Sequence, residues 1–110
     1  MRYMVLIILL VFYVNANANG GSGKRNVSNV KIEGASFIAV YSDTAWDNPD
    51  NCGNSNLAII LLSDKLYREK LSVALAAFIG QKKLNLWLTA CQKTPWGYTA
   101  PIIHTMSISD

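Results

Sequence analysis

One histidine, two cysteines and no long run of charge leave this 110-residue chain few routes to chemistry. Zinc needs three or four ligands, and His104 stands without a second histidine while Cys52 and Cys91 have a better use. A serine nucleophile needs a base and an orienting partner. His104 could be paired with Asp43, Asp47 or Asp50, but no nucleophile elbow surrounds any serine. Glu33, Asp43, Asp47 and Asp50 could supply paired carboxylates for sugar cleavage, yet so small a domain has little room for both a cleft and a core. The three aspartates do not follow the alternating ligands of an EF-hand loop, and no glutamate closes them. Gly20, Gly21 and Gly23 precede no helix, so they form no phosphate loop. The expectation is a chain without catalysis, bound metal or cofactor.

The charge is equally uninformative as a motif. Ten basic residues less Arg2 leave nine against seven acidic ones, a net of +2. No basic run exceeds Lys24-Arg25 or Lys82-Lys83, whereas nucleic acid demands a denser stripe, so that partner is set aside.

What is present begins with the N-terminus. Met1-Arg2 is a short positive region, Tyr3 to Val14 an uncharged apolar run, and Ala16-Asn17-Ala18 a small-residue cleavage site. That is the layout of a secretory signal peptide, too short to be a spanning helix; a membrane anchor is the competing reading. The expected organisation is a signal peptide over 1–18 cleaved near Ala18, a flexible, glycine-rich start over 19–26, and one α+β domain over 27–110. No membrane span then remains, and the product is secreted or periplasmic. Two cysteines in an exported chain suggest one disulfide, Cys52–Cys91, with two free thiols as the alternative. Closing that loop would stabilise so small a domain by about 4 kcal/mol.

The organising stretch runs from Asn56 to Cys91. Asn56 to Leu62 reads as a strand. Ser63 and Asp64 offer capping oxygens to a helix of about Asp64–Ile79. Tyr67, Leu71, Ala74, Leu75 and Phe78 share one helical face; Lys65, Arg68, Glu69 and Ser72 lie mostly on the other. Gly80 is placed to adopt a left-handed terminal conformation. Then the period becomes two: Leu84, Leu86, Leu88 and Ala90 face one way, Asn85, Trp87, Thr89 and Cys91 the other. Core packing is the expectation for every aromatic in this stretch.

Upstream, Val27 to Tyr41 reads as one long strand or two short ones, with a bulge or bend at Gly34. Downstream, Pro101 to Ser109 closes the chain as a strand on which Ile102, His104, Met106 and Ile108 share a face. Two polar loops carry the remaining aromatics. Trp46 lies in Ser42–Ser55, where it either covers the core or stacks on a ligand. Trp96 and Tyr98 alternate beside Pro95 and Gly97. Rigid rings with polar edges suit sugars, whose C–H faces pack on a π surface. Trp46, Trp96 and Tyr98 are therefore the candidate ligand-binding residues.

The order of elements, and above all the alanine- and aromatic-containing helix ending in Gly80-Gln81 before a strand (Ala74 to Trp87), resembles the small B subunits of bacterial toxins of the subtilase-cytotoxin and pertussis-like kind. The resemblance implies an oligonucleotide/oligosaccharide-binding (OB)-like antiparallel barrel, or a curved sheet, with one amphipathic helix packed on it. It also implies a homo-oligomeric ring of five, a toxin A-type partner subunit, and recognition of cell-surface glycans, sialylated ones among them. The chain is shorter than those subunits and has no serine-centred glycan motif, so no family binding residue is carried over. The expected function is a non-catalytic glycan-binding module. The rival is a small envelope structural or inhibitor-like protein acting through a protein interface.

Overall fold

The computed structural model describes residues 19–34 and 36–110. The signal peptide expected over 1–18, with its cleavage site at Ala18, lies outside the described residues. The elements are β1 (Gly20–Glu33), β2 (Phe37–Ser42), β3 (Leu57–Leu61), α1 (Tyr67–Gly80), β4 (Lys83–Lys93) and β5 (Thr99–Ser109). Among the described residues this is a mostly-β domain with one helix. Its five strands pair in the closed order β1-β2-β3-β5-β4, with β4 returning to β1. The sheet is mixed where an antiparallel one is expected: β3 and β5 run parallel, joined at Ile59 and Ile102.

β1 makes the closure. Its first half pairs with β4 and its second half with β2, with register shifts at Gly21/Lys24 and Val27/Asn29. The expected flexible segment 19–26 is thereby corrected: from Gly20 onward it is strand. One of its glycines serves the bend. Gly23 takes φ 74°, a left-handed value that side chains resist. Beside it Ser22 is fully buried; its hydroxyl accepts the Leu86 N–H at 2.8 Å and donates to the Gly23 carbonyl at 2.8 Å. A side chain thus fills in for the interrupted ladder. Gly34, at φ 53°, lies in the turn between β1 and β2, so the segment is a hairpin rather than one bent strand.

Two apolar clusters lie on opposite faces of β2 and β3. The inner one joins Ile38, Val40, Ala58 and Ile60 to Leu84, Leu86, Leu88 and Ile103, with Ala74 and Ala77 of α1 against them. The outer one joins Phe37, Ala39, Leu57, Ile59 and Ala100 to Tyr41, Leu61, Trp96 and Tyr98. Burial on both faces is why FIAVY and LAII are continuous apolar runs, whereas β4 alternates.

The helix starts at Tyr67, later than Asp64. Asp64 forms the preceding turn, accepting the Leu66 N–H at its carboxylate at 2.9 Å and the Tyr67 N–H at its carbonyl at 3.1 Å. Its carboxylate also pairs with the buried Lys70, whose ammonium reaches the Ile103 carbonyl at 3.2 Å. At the far end Gln81, not Gly80, adopts the left-handed conformation. The buried stripe is Lys70, Ala74 and Ala77. Alanines let the helix sit close to the sheet, and this leaves the larger Leu75 and Phe78 of the expected face exposed on its flank.

Three further corrections concern β4 and β5. Trp87 is 48% exposed instead of packed in the core. Ala90 leaves the inner face because the register shifts between Thr89 and Cys91 and its φ is 60°. Likewise Trp87 pairs with Thr105 and Leu88 with Ile103. His104 is the extra residue between them, exposed, so Ile103 and Met106 both turn to the core and the expected shared face is broken.

Candidate functional site at the β4–β5 loop

The sequence TPWGY between β4 and β5 folds into a narrow finger. The Tyr98 carbonyl accepts both the Thr94 backbone N–H, at 3.0 Å, and the Thr94 hydroxyl, at 2.7 Å. Gly97 supplies the turn with φ 89°. Trp96 and Tyr98 are both half-buried, with ring centroids 5.8 Å apart and planes tilted by 34°. Phe37 of β2 meets the Trp96 ring edge to face at 5.8 Å. The Lys31 ammonium sits 4.6 Å from the Trp96 centroid and 3.5 Å from the Glu33 carboxylate. Tyr41 belongs to the same cluster. Burial, then the neighbouring Tyr98, pushes its phenol above the ordinary value of 10.0, so it remains a hydrogen-bond donor at neutral pH. A depression of about 290 Å³ lies beside the finger, lined by Lys93, Thr94, Gly97, Tyr98 and Thr99. That is near the lower end for small-ligand sites.

The β2–β3 loop grips both stems of this finger. On the β4 side, Cys52 is bonded to Cys91, with Cα atoms 5.6 Å apart, and the Asp50 carboxylate accepts the Ala90 N–H at 2.8 Å. On the β5 side, the Gly53 N–H reaches the Thr99 hydroxyl at 2.8 Å and the Asn54 N–H its carbonyl at 2.8 Å. Asn48 braces the loop itself, its amide exchanging two hydrogen bonds with the Cys52 backbone at 2.8 and 2.9 Å. A Cβ on Gly53 would stand 3.2 Å from the Thr99 nitrogen and 3.4 Å from the Tyr98 Cβ, so only glycine passes here without displacing the finger. The aromatic pair is held in advance, which lowers the ordering cost of any ligand.

The structure brings Trp96 and Tyr98 together and separates Trp46 from them. Trp46 is 2% exposed in the inner core, its indole N–H donating to the Val40 carbonyl at 3.4 Å. It cannot stack on a ligand and is withdrawn from the candidates. Phe37, Tyr41 and Lys31 are the members that sequence reading missed. Their signal was the register: Lys31 lies opposite Ala39, between Phe37 and Tyr41. The aspartates of the loop are dispersed, Asp47 to Arg25 at 3.1 Å and Asp50 to Ala90. Among the described residues no group of three or more His, Cys, Asp or Glu side chains could hold a metal, and no helix is long and apolar enough to cross a membrane. No family model matches the chain, and neither does any curated protein or solved structure.

Proposed function

We propose that this is an exported, non-catalytic carbohydrate-binding module on an OB-type barrel, similar to a toxin B subunit, that engages a cell-surface glycan through Trp96 and Tyr98. The observation that carries it is the pair itself: two half-exposed rings, fixed at 5.8 Å on a braced finger. The fold supports the place as well. A five-stranded closed order with the helix between β3 and β4 agrees with an OB-type barrel, whose binding surfaces are the β2–β3 face and the loops beside it. The finger lies on that face. The disulfide agrees with a secreted or periplasmic location. A glycan array read with wild type, Trp96→Ala and Tyr98→Ala tests the proposal. Both variants should remain folded and lose binding at least tenfold. Retained binding by both would remove the site.

One observation favours a second reading, an interface with a protein. Leu75, Phe78 and Ile79 form an apolar flank on α1, exposed by 38%, 44% and 77%. A ring of identical subunits or a toxin A-type subunit would cover it, as would the target of a small envelope protein. Native mass spectrometry distinguishes these from a monomer, and Ile79→Asp should dissolve any assembly that uses the flank.

A further inference from the structure

The face of the sheet built by β1, β4 and β5 carries an aromatic that the finger does not use. We propose that Trp87 and its neighbours form a second binding site, for an uncharged saccharide. Trp87 projects outward from the middle of β4, since Leu86 and Leu88 on either side are buried. Its cross-strand neighbours are Thr105 on β5 and Gly21 on β1, and one rung along the sheet Asn85 faces Ser107. These residues, with Leu86, line a shallow depression of about 300 Å³.

Its chemistry narrows the ligand. A broad exposed ring offers a stacking platform for the C–H face of a pyranose. Asn85, Thr105 and Ser107 offer neutral donors and acceptors within one or two strand spacings, each of ~4.8 Å. None of the six lining residues is charged. Lys24, paired across the ladder with Asn85, and Lys83, two residues before Asn85 on β4, adjoin that end of the depression, while the residues beside the Trp87 ring are neutral. Single-stranded nucleic acid, which also stacks, requires a groove of cations that tracks its backbone, more than these two lysines at one end.

Gly21 is the second observation. Its φ lies outside the left-handed region, and a Cβ placed on it would meet only the Leu86 carbonyl oxygen, at an ordinary 3.9 Å. Neither backbone conformation nor packing requires glycine there. What its missing side chain does provide is clearance on one flank of the Trp87 ring, directly across the ladder. A β-branched residue would suit the strand better and would close that approach.

The test uses the full exported chain against immobilised uncharged oligosaccharides of hexose and N-acetylhexosamine units, with Trp87→Ala, Gly21→Val and Trp96→Ala beside wild type. Thermal melting confirms that each is folded. At least one uncharged glycan should bind wild type, lose affinity tenfold or more with Trp87→Ala and with Gly21→Val, and bind Trp96→Ala unchanged. The site is overturned if no uncharged glycan binds, or if both β-face variants bind as wild type does. It is also overturned if native mass spectrometry shows an oligomer that Gly21→Val dissociates, since the face then belongs to a second copy of this chain. Loss through Trp96→Ala alone would support the finger and remove this site, so the two readings fail separately.

Discussion

The two halves of this sheet handle their outer faces in opposite ways. Around β2 and β3 the outer face is roofed: Ala39, Leu57 and Ile59 are fully buried beneath the cluster that includes Trp96 and Tyr98. Around β1, β4 and β5 it is bare, with Trp87 standing among Asn, Thr and Ser. The difference lies in the loops. The β2–β3 loop and the β4–β5 finger brace one another with a disulfide and three hydrogen bonds from backbone N–H groups, two accepted by side chains and one by a backbone carbonyl. Aromatics on the roofed side therefore contribute to folding as well as to the recognition proposed for them, while Trp87 is free of the first duty.

Changes within the roofed side, and in the inner core beneath it, should cost the most. Trp46→Ala empties the inner core beneath it and should destabilise by about 3–5 kcal/mol, read by denaturant unfolding. Next comes Cys52→Ser with Cys91→Ser, expected to cost about 2–5 kcal/mol and to weaken glycan binding beyond that, because the finger loses its anchor. An intermediate effect, about 1–2 kcal/mol, is expected for Trp96→Ala, whose ring is half-buried against Phe37 and so falls below the cost of emptying a full core site. Trp87→Ala should remain within about 0.5 kcal/mol of wild type, as for a surface position. A large loss there would mean that the bare face is structural after all, and the contrast between the halves would collapse.

A pH titration sharpens the comparison at a third place, the turn before α1. The Lys70 ammonium, and after it the Leu66 N–H, hold the Asp64 carboxyl below its ordinary value of 3.8. The folded chain therefore takes up this proton at lower pH than the unfolded chain does. Its stabilisation is complete above the ordinary value and is lost as pH falls through the lowered one. Asp64→Asn should lower stability at neutral pH and flatten the acid limb of the profile, measured by melting temperature from neutral pH to below pH 3.8.

Much of the scaffold was legible because its residues obey one period at a time. The alternation of Leu84, Leu86 and Leu88 gave the inner face of β4, and the cysteine count gave the disulfide. The errors fall where that period breaks. Bulges at Ala90 and His104 shift the register by one residue and turn the following side chains to the other face, which no local pattern announces. Glycines at 20, 21 and 23 read as a loose tail because their composition is that of a linker, yet long-range pairing with β4 makes them strand. The helix misled in another way. Its apolar stripe is wider than the surface available to cover it, so the alanines rather than Leu75 and Phe78 are buried. For the site, the proximity of Trp96 and Tyr98 followed from sequence spacing, whereas the burial of Trp46 and the exposure of Trp87 depend on what the loops cover.

The three tryptophans make that account directly measurable, since each contributes one indole N–H signal to an NMR spectrum. The measurement is a titration of the folded protein with glycans that score on an array, the signals being assigned by single Trp→Phe variants. The account predicts that the Trp96 signal moves with the glycan, that the Trp87 signal moves with uncharged saccharides, and that the Trp46 signal stays in place. Binding that leaves Trp96 and Trp87 unmoved, or that shifts Trp46 alone, would contradict it.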